Sequence, residues 1–217
     1  MSLAGIHNVD EKHVIPECCV FSGEAVNFAQ AQAGEVCVDI GCGSGADVFR
    51  MATEAGDMGF AFGVDTSGEM IQKAFKTAEN SGITNVDFIH SEIKHIRLGS
   101  NLADLIISDC SINLDDNKKA VWAEIYRILK KGGRFVVSDF YITSNERGVI
   151  PDTQPHESCS GQTVSRGEYL QMLYDTGFVS VRILEESTPV NAARDNIVNF
   201  IVRGEKPGEV QSNRCRL

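Results

Sequence analysis

Apolar positions along the chain fall into short continuous runs, and between the runs they recur every three or four residues. Val36–Ile40, Phe60–Val64, Val86–His90 and Leu102–Ser108 are such runs. They have the length of strands, and Leu102–Ser108, rich in Leu and Ile, reads as a buried one. The intervening stretches have helical spacing. Ala46–Glu54 is one. A second follows Thr66, where Met70, Ile71, Ala74, Phe75 and Ala78 share a face and Thr66-x-x-Glu69 predicts a capping box. Ala120, Val121, Ala123, Ile125, Ile128 and Leu129 predict a third helix, capped by Asp115 or Asp116 and ended by Gly132-Gly133. Arg134–Ser138 is a fifth strand. Ser165-x-x-Glu168 opens another helix, which runs to about Asp175 and stops at Gly177, and Phe178–Leu184 and Ile197–Val202 are two closing strands. Residues 22–33 predict a short helix, and the chain from Gly204 reads as a loose polar tail.

Strands alternating with helices predict an α/β fold, a doubly wound, mostly parallel seven-stranded sheet with helices on both faces. The expected division is an N-terminal segment over 1–33, one domain over 34–203 and the tail over 204–217. Open sheets of this kind bind ligands at the carboxyl ends of their strands. The candidate site is therefore Gly41–Gly45, Asp65, Glu92, Asp109–Asn113 and Asp139.

Composition narrows the function. The chain has 217 residues and a net charge of -10, a balance that repels a phosphate backbone, so no nucleic-acid partner is expected. No run has the length of a membrane span, and no basic segment followed by an apolar one marks a signal peptide. The seven cysteines are an odd number, and without a secretion signal they point to free thiols in a reducing cytoplasm. No C-x-x-C pair is present, and His156-x-x-Cys159 stands alone, so no metal site is expected.

The turn Gly41-Cys42-Gly43-Ser44-Gly45 carries the chemistry. Gly41-x-Gly43-x-x-Ala46 satisfies a dinucleotide fingerprint. Asp39, however, lies in the strand just before it, and a carboxylate aimed at the turn opposes a pyrophosphate and suits a ligand with an ammonium and a sulfonium. Asp65, at the end of the second strand, is placed to accept hydrogen bonds from ribose hydroxyls. Glu92, after the third, is placed to meet the exocyclic amine of adenine.

VDIGCGSG, GVDTSGEM, the Ser91-Glu92-Ile93 step and ILKKGGRFVVSD resemble, in order, the motifs of class I methyltransferases that use S-adenosyl-L-methionine. The resemblance covers about residues 34–203 and implies a Rossmann-like methyltransferase fold. It places Gly41, Cys42, Gly43 and Gly45 against the methionine part, with Asp39 and Asp109 nearby. Asp65, with Thr66 and Met70 after it, lies at the ribose, Glu92 and Ile93 flank the adenine, and Cys110 lies beside the sulfonium.

SDCSINLDDNKKAVWAEIYRILKKGGRF and HESCSGQTVSRGEYLQMLYDTGF are similar to the corresponding parts of arsenite methyltransferases. That resemblance implies an arsenic ligand at Cys159 and makes Cys159 and Cys110 the candidate catalytic residues. The family adds a thiolate from its N-terminal segment, for which Cys18 and Cys19 are the candidates. Trivalent arsenic is soft and favours thiolates. The implied acceptor is a small molecule, a thiol-bound arsenical, and the alternative is an oxygen, nitrogen or carbon of another metabolite. Readings of another class are a nicotinamide-dependent oxidoreductase and a non-catalytic S-adenosylmethionine-binding module. Cys37 reads as a core residue, Cys42 as packing under the turn, and His156 and Tyr141 as possible linings of the acceptor side. The sequence leaves the oligomeric state open.

Overall fold

β1 (Val36–Ile40) enters the middle of the sheet because all but its first residue are buried. It pairs in parallel with β2 (Phe60–Asp65) on one side and β4 (Ala103–Asp109) on the other. The computed structural model describes residues 25–143, 164–187 and 197–208. With β3 (Val86–His90), β5 (Leu129–Ile142), β6 (Val179–Glu186) and β7 (Ile197–Glu205), the strands form one sheet in the order β3-β2-β1-β4-β5-β7-β6. β7 runs antiparallel to both of its neighbours, and every other pairing is parallel. The chain winds one way from β1 to β3 and the other way from β4 onward, so the strand order reverses between β1 and β4.

The two faces have separate cores. Val38, Ile40, Ile106, Phe135 and Val137 face α4 (Lys118–Ile128) and α5 (Arg166–Thr176) around Trp122. Cys37, Leu105, Ile107 and Val136 face α1 (Ala25–Ala29), α2 (Ala46–Ala55) and α3 (Gly68–Ser81). Residues alternate between these cores along β1, β4 and β5 because successive strand side chains point to opposite faces.

Four boundaries differ from the sequence expectation. The N-cap of α3 is Ser67, whose Oγ accepts from the Met70 N–H at 3.3 Å, and not Thr66. Asp65 takes the Ser67 N–H at 2.7 Å and so pulls the turn one residue further on. α4 is capped by Asn117, which accepts from the Ala120 N–H at 3.1 Å, while Asp115 accepts from the Asn117 N–H and shapes the preceding turn. α4 ends at Ile128, not at Gly132-Gly133, because Leu129 already pairs with Ala103 as a strand residue. The chain expected to loosen at Gly204 continues in β7 to Glu205, and the Lys206 ammonium is buried against the carbonyls of Tyr126 and Leu129 at 2.7 and 2.8 Å.

Candidate active site

The turn after β1 is anchored to β2, since the Gly41 and Cys42 N–H groups both donate to Val64 O, at 2.8 and 3.0 Å. Gly41, Gly43 and Gly45 all have positive φ, at +82°, +52° and +88°, where a side chain is strained. They are required for different reasons. A Cβ on Gly41 would lie 1.7 Å from Ser111 Oγ, and one on Gly45 would lie 2.8 Å from the Phe88 ring. At Gly43 a Cβ would meet nothing within 4 Å among the described residues. The protein's own packing thus accounts for the outer glycines, and the middle one borders open space at the strand ends.

Asp65 ties this turn to the next. Its Oδ2 accepts from the Gly43 N–H at 2.8 Å and its Oδ1 from the Ser67 N–H. Asp39 lies beneath the turn, 4 % exposed. Burial holds its carboxyl well above the ordinary carboxylate range, and the charges of Asp47, Asp109 and Asp65 push it further. Asp47, in the first turn of α2, is itself raised by burial and by Asp109. Asp109 Oδ1 accepts from the Ala25 N–H at 3.3 Å, which ties α1 to the end of β4. Among these carboxyls Asp47 also feels the Arg50 guanidinium, which favours its charged form against burial and Asp109. Cys42 is buried, with Sγ 2.7 Å from where a Gly63 Cβ would stand, and burial and the neighbouring aspartates raise its thiol strongly. Cys37 is pushed up to about 12 by burial first and Glu35 second. Both are packing residues, as expected.

At the end of β3 the Ser91 N–H donates to Asp65 O at 3.0 Å. Ile93 is buried, whereas Glu92 is exposed and pairs with Lys94 at 3.6 Å. Thr66 is exposed, with its carbonyl 2.9 Å from His90 Nε2, and Met70 is half-buried in the first turn of α3. Glu92 therefore stands at the rim, and Asp39, Asp65, Asp109 and the glycine turn form the centre.

The other side of the site is built from β4 and β5. Cys110 is buried with φ +52°, and its N–H donates to Ser138 O at 2.8 Å. A non-glycine residue held there stores on the order of 1–3 kcal/mol of strain, a cost concentrated at functional positions. Asp139 lies within β5, not after it, and is 1 % exposed. Burial pushes its carboxyl up to about 7, although the Phe140 N–H, the Tyr169 hydroxyl, Asn113 and Lys118 all favour its charged form. Tyr169 and Lys118, with Asp47, are site neighbours that the sequence reading missed. Asp47 carries the signal of an acid in the first turn of the glycine-led helix, while Tyr169 sits 30 residues from Asp139 with no local signature. The Tyr141 hydroxyl donates to Glu186 at 2.8 Å and Arg166 holds the same oxygen at 2.9 Å, so Tyr141 is engaged there. Among the described residues no group of three or more His, Cys, Asp or Glu could hold a metal ion. No described helix is long and apolar enough to cross a membrane. Cys18, Cys19, His156, Cys159 and Cys215 lie outside the described residues.

A family model described as a methyltransferase domain matches residues 31–177. This chain belongs to the methyltransferase-domain family. The methyltransferase domain is 34 % identical to an arsenite methyltransferase of Halobacterium salinarum over 197 residues, 85 % of this chain and 50 % of that protein. It is 34 % identical to the human arsenite methyltransferase over 113 residues, 48 % of this chain and 30 % of that protein. The chain thus spans half or less of the length of these relatives. Its fold is shared with an arsenic(III) S-adenosylmethionine methyltransferase of Chlamydomonas reinhardtii, at TM-score 0.71 and 24 % identity over 86 % of this chain and 75 % of that one. It is also shared with phosphoethanolamine N-methyltransferase 2 of Haemonchus contortus, at TM-score 0.70 and 17 % identity over 83 % of this chain and 51 % of that one.

Proposed function

We propose that this methyltransferase domain transfers a methyl group from S-adenosylmethionine to a thiol-bound arsenical. The observation that carries the donor half is the buried Asp39 carboxylate beneath a turn whose middle glycine, Gly43, opens on free space. That arrangement fits a small cation pressed against backbone and opposes a pyrophosphate, so a nicotinamide dinucleotide is the wrong ligand. The bound donor supplies a methyl group on positively charged sulfur.

The chain's residues position the reactants. A cationic donor end bound beside Asp39, Asp47 and Asp109 favours ionisation of Asp39 and Asp47, which burial opposes in the free protein, with Gly41, Cys42 and Gly45 shaping the turn against it. Asp65, already preorganised by two backbone N–H groups, offers its remaining lone pairs to the ribose. Thr66, Met70, Glu92 and Ile93 border the adenosine. Displacement at a methyl carbon needs a lone pair in line with sulfur and little else. Arsenic held by thiolates carries that lone pair, so the site needs no general base.

The acceptor half rests on the similarity to arsenite methyltransferases and on Cys110, a strained, buried thiol at the carboxyl end of β4. Cys159 and one of Cys18 and Cys19 are the two arsenic ligands in this reading, with Cys110 lining the acceptor beside them.

Calorimetry and a transfer assay test the two halves. Asp65→Ala weakens S-adenosylmethionine binding at least about tenfold, since a hydrogen bond to a charged group contributes about 1.5–3 kcal/mol, and NAD does not bind. An unchanged affinity in a folded variant removes the ribose assignment. Cys159→Ser abolishes transfer to arsenite and leaves donor affinity as it was, and transfer at the wild-type rate removes the acceptor assignment.

A further inference from the structure

Asn113 sits in the 3-10 turn Ile112–Leu114, three residues after Cys110, and is 6 % exposed. Its carboxamide is fixed from one end only. Nδ2 donates to Phe140 O, and the side chain also hydrogen-bonds the Asp139 carboxyl. Asp139 is held in turn by the Phe140 N–H at 3.0 Å and the Tyr169 hydroxyl at 3.0 Å. Oδ1, at the other end, has no hydrogen-bond partner among the described residues and is fully buried. Flipping the amide cannot satisfy it, because the NH2 group would then leave both a carbonyl and a carboxyl without their donor. A buried acceptor in this state is destabilising, and a native fold that pins one in place marks a position that awaits a donor. Cys110 opens the same segment, and its N–H donates to Ser138 O, one residue before Asp139, at 2.8 Å.

We propose that Asn113 orients the methyl acceptor, its Oδ1 accepting a hydrogen bond from a hydroxyl that remains on trivalent arsenic, with Tyr169 and Asp139 as positioning residues. The inference rests on the arsenical reading above. Its chemistry balances. Arsenite, As(OH)3, loses one hydroxyl as water for each protein thiol that binds, because the thiol proton leaves with the displaced hydroxide. Two thiols give (RS)2As–OH and two waters, and the residual As–OH is a hydrogen-bond donor beside Cys110. The lone pair on arsenic stays free for the methyl group.

The test uses the full chain with saturating S-adenosylmethionine and a phosphine reductant in place of a thiol. Two acceptors are compared: arsenite, and arsenite pre-complexed with excess glutathione, in which the hydroxyls are replaced. Asn113→Leu raises the KM for arsenite at least tenfold, leaves the KM for the glutathione complex within twofold of wild type, and leaves donor affinity unchanged. If Asn113→Leu does not fold, Tyr169→Phe, which removes only the hydroxyl that steadies Asp139, raises the arsenite KM severalfold with the same selectivity. An unchanged arsenite KM, an equal loss with both acceptors, or a wild type that uses the glutathione complex alone overturns this inference and leaves the arsenical reading standing. A wild type that binds the donor and methylates neither acceptor overturns both.

Discussion

Gly41, Gly43 and Gly45 look alike in the sequence and are set apart by what a single methyl group would meet. At Gly41 that methyl collides with the Ser111 hydroxyl, and at Gly43 it enters free space. Gly41→Ala should therefore destabilise the fold by about 2 kcal/mol or more, from the collision together with the positive φ. The double variant with Ser111→Gly should recover part of that loss. Gly43→Ala should cost only about 1–2 kcal/mol of left-handed strain but lower S-adenosylmethionine affinity at least tenfold. Thermal unfolding and calorimetry on the same samples separate the two effects, and wild-type affinity in Gly43→Ala would place the cofactor elsewhere. Asp65 is likewise a brace between two turns, and in the function proposed above it is also a ligand group. The family motif suggested the second role, and the hydrogen bonds to Gly43 and Ser67 add the first.

α1 ends at Ala29, and Arg134 on β5 anchors that end. The guanidinium donates to the carbonyls of Ala29 and Gln30, at 3.1 and 2.7 Å, and to both oxygens of Glu35, at 2.6 and 2.9 Å. The pair is largely shielded, with side-chain exposures of 14 % and 17 %. Arg134→Met leaves Glu35 without its partner and frees the end of α1, a loss of about 2–3 kcal/mol and a fall in Tm of about 5–10 °C. Hydrogen exchange should show residues 25–29 losing protection first. Unaltered exchange there would mean that α1 is held by its apolar face alone. Elsewhere, element identity was legible in the sequence and exact ends were not. Ser165 and Glu168 form the expected capping box around α5, a signal contained within four residues. The caps of α3 and α4 moved by one or two positions because Asp65 and Asp115 bond the backbone ahead of the helix, a choice between adjacent polar residues that the spacing does not make.

Over the whole molecule, acidic groups gather at the carboxyl ends of the strands, and one of them should govern acid stability. Asp139 ionises near 3.8 in an unfolded chain and at about 7 in the fold, because it is buried. The charges and dipoles that face it are Lys118, the Tyr169 hydroxyl, Asn113 and the Phe140 N–H. Between those pH values the folded protein keeps a proton that the unfolded chain has released. This contribution to stability is complete below about pH 4 and is lost as pH rises through about 7, and its full span is on the order of 4 kcal/mol. Asp139→Asn should flatten that part of the Tm-against-pH curve, and an unchanged slope would mean that other groups set it. The linear code was enough for the sheet and for bringing Asp39, Gly43 and Asp65 to one end of it, since apolar runs and glycine spacing are local signals and these residues lie in or next to the strands that present them. It could not show that Gly41 is glycine because of Ser111, that α1 hangs on Arg134, or that Asn113 and Asp139 meet Tyr169. Those pairs stand 70, 105 and 30 or more residues apart, and they become neighbours only when β4 and β5 align beside β1 and α5 closes over them.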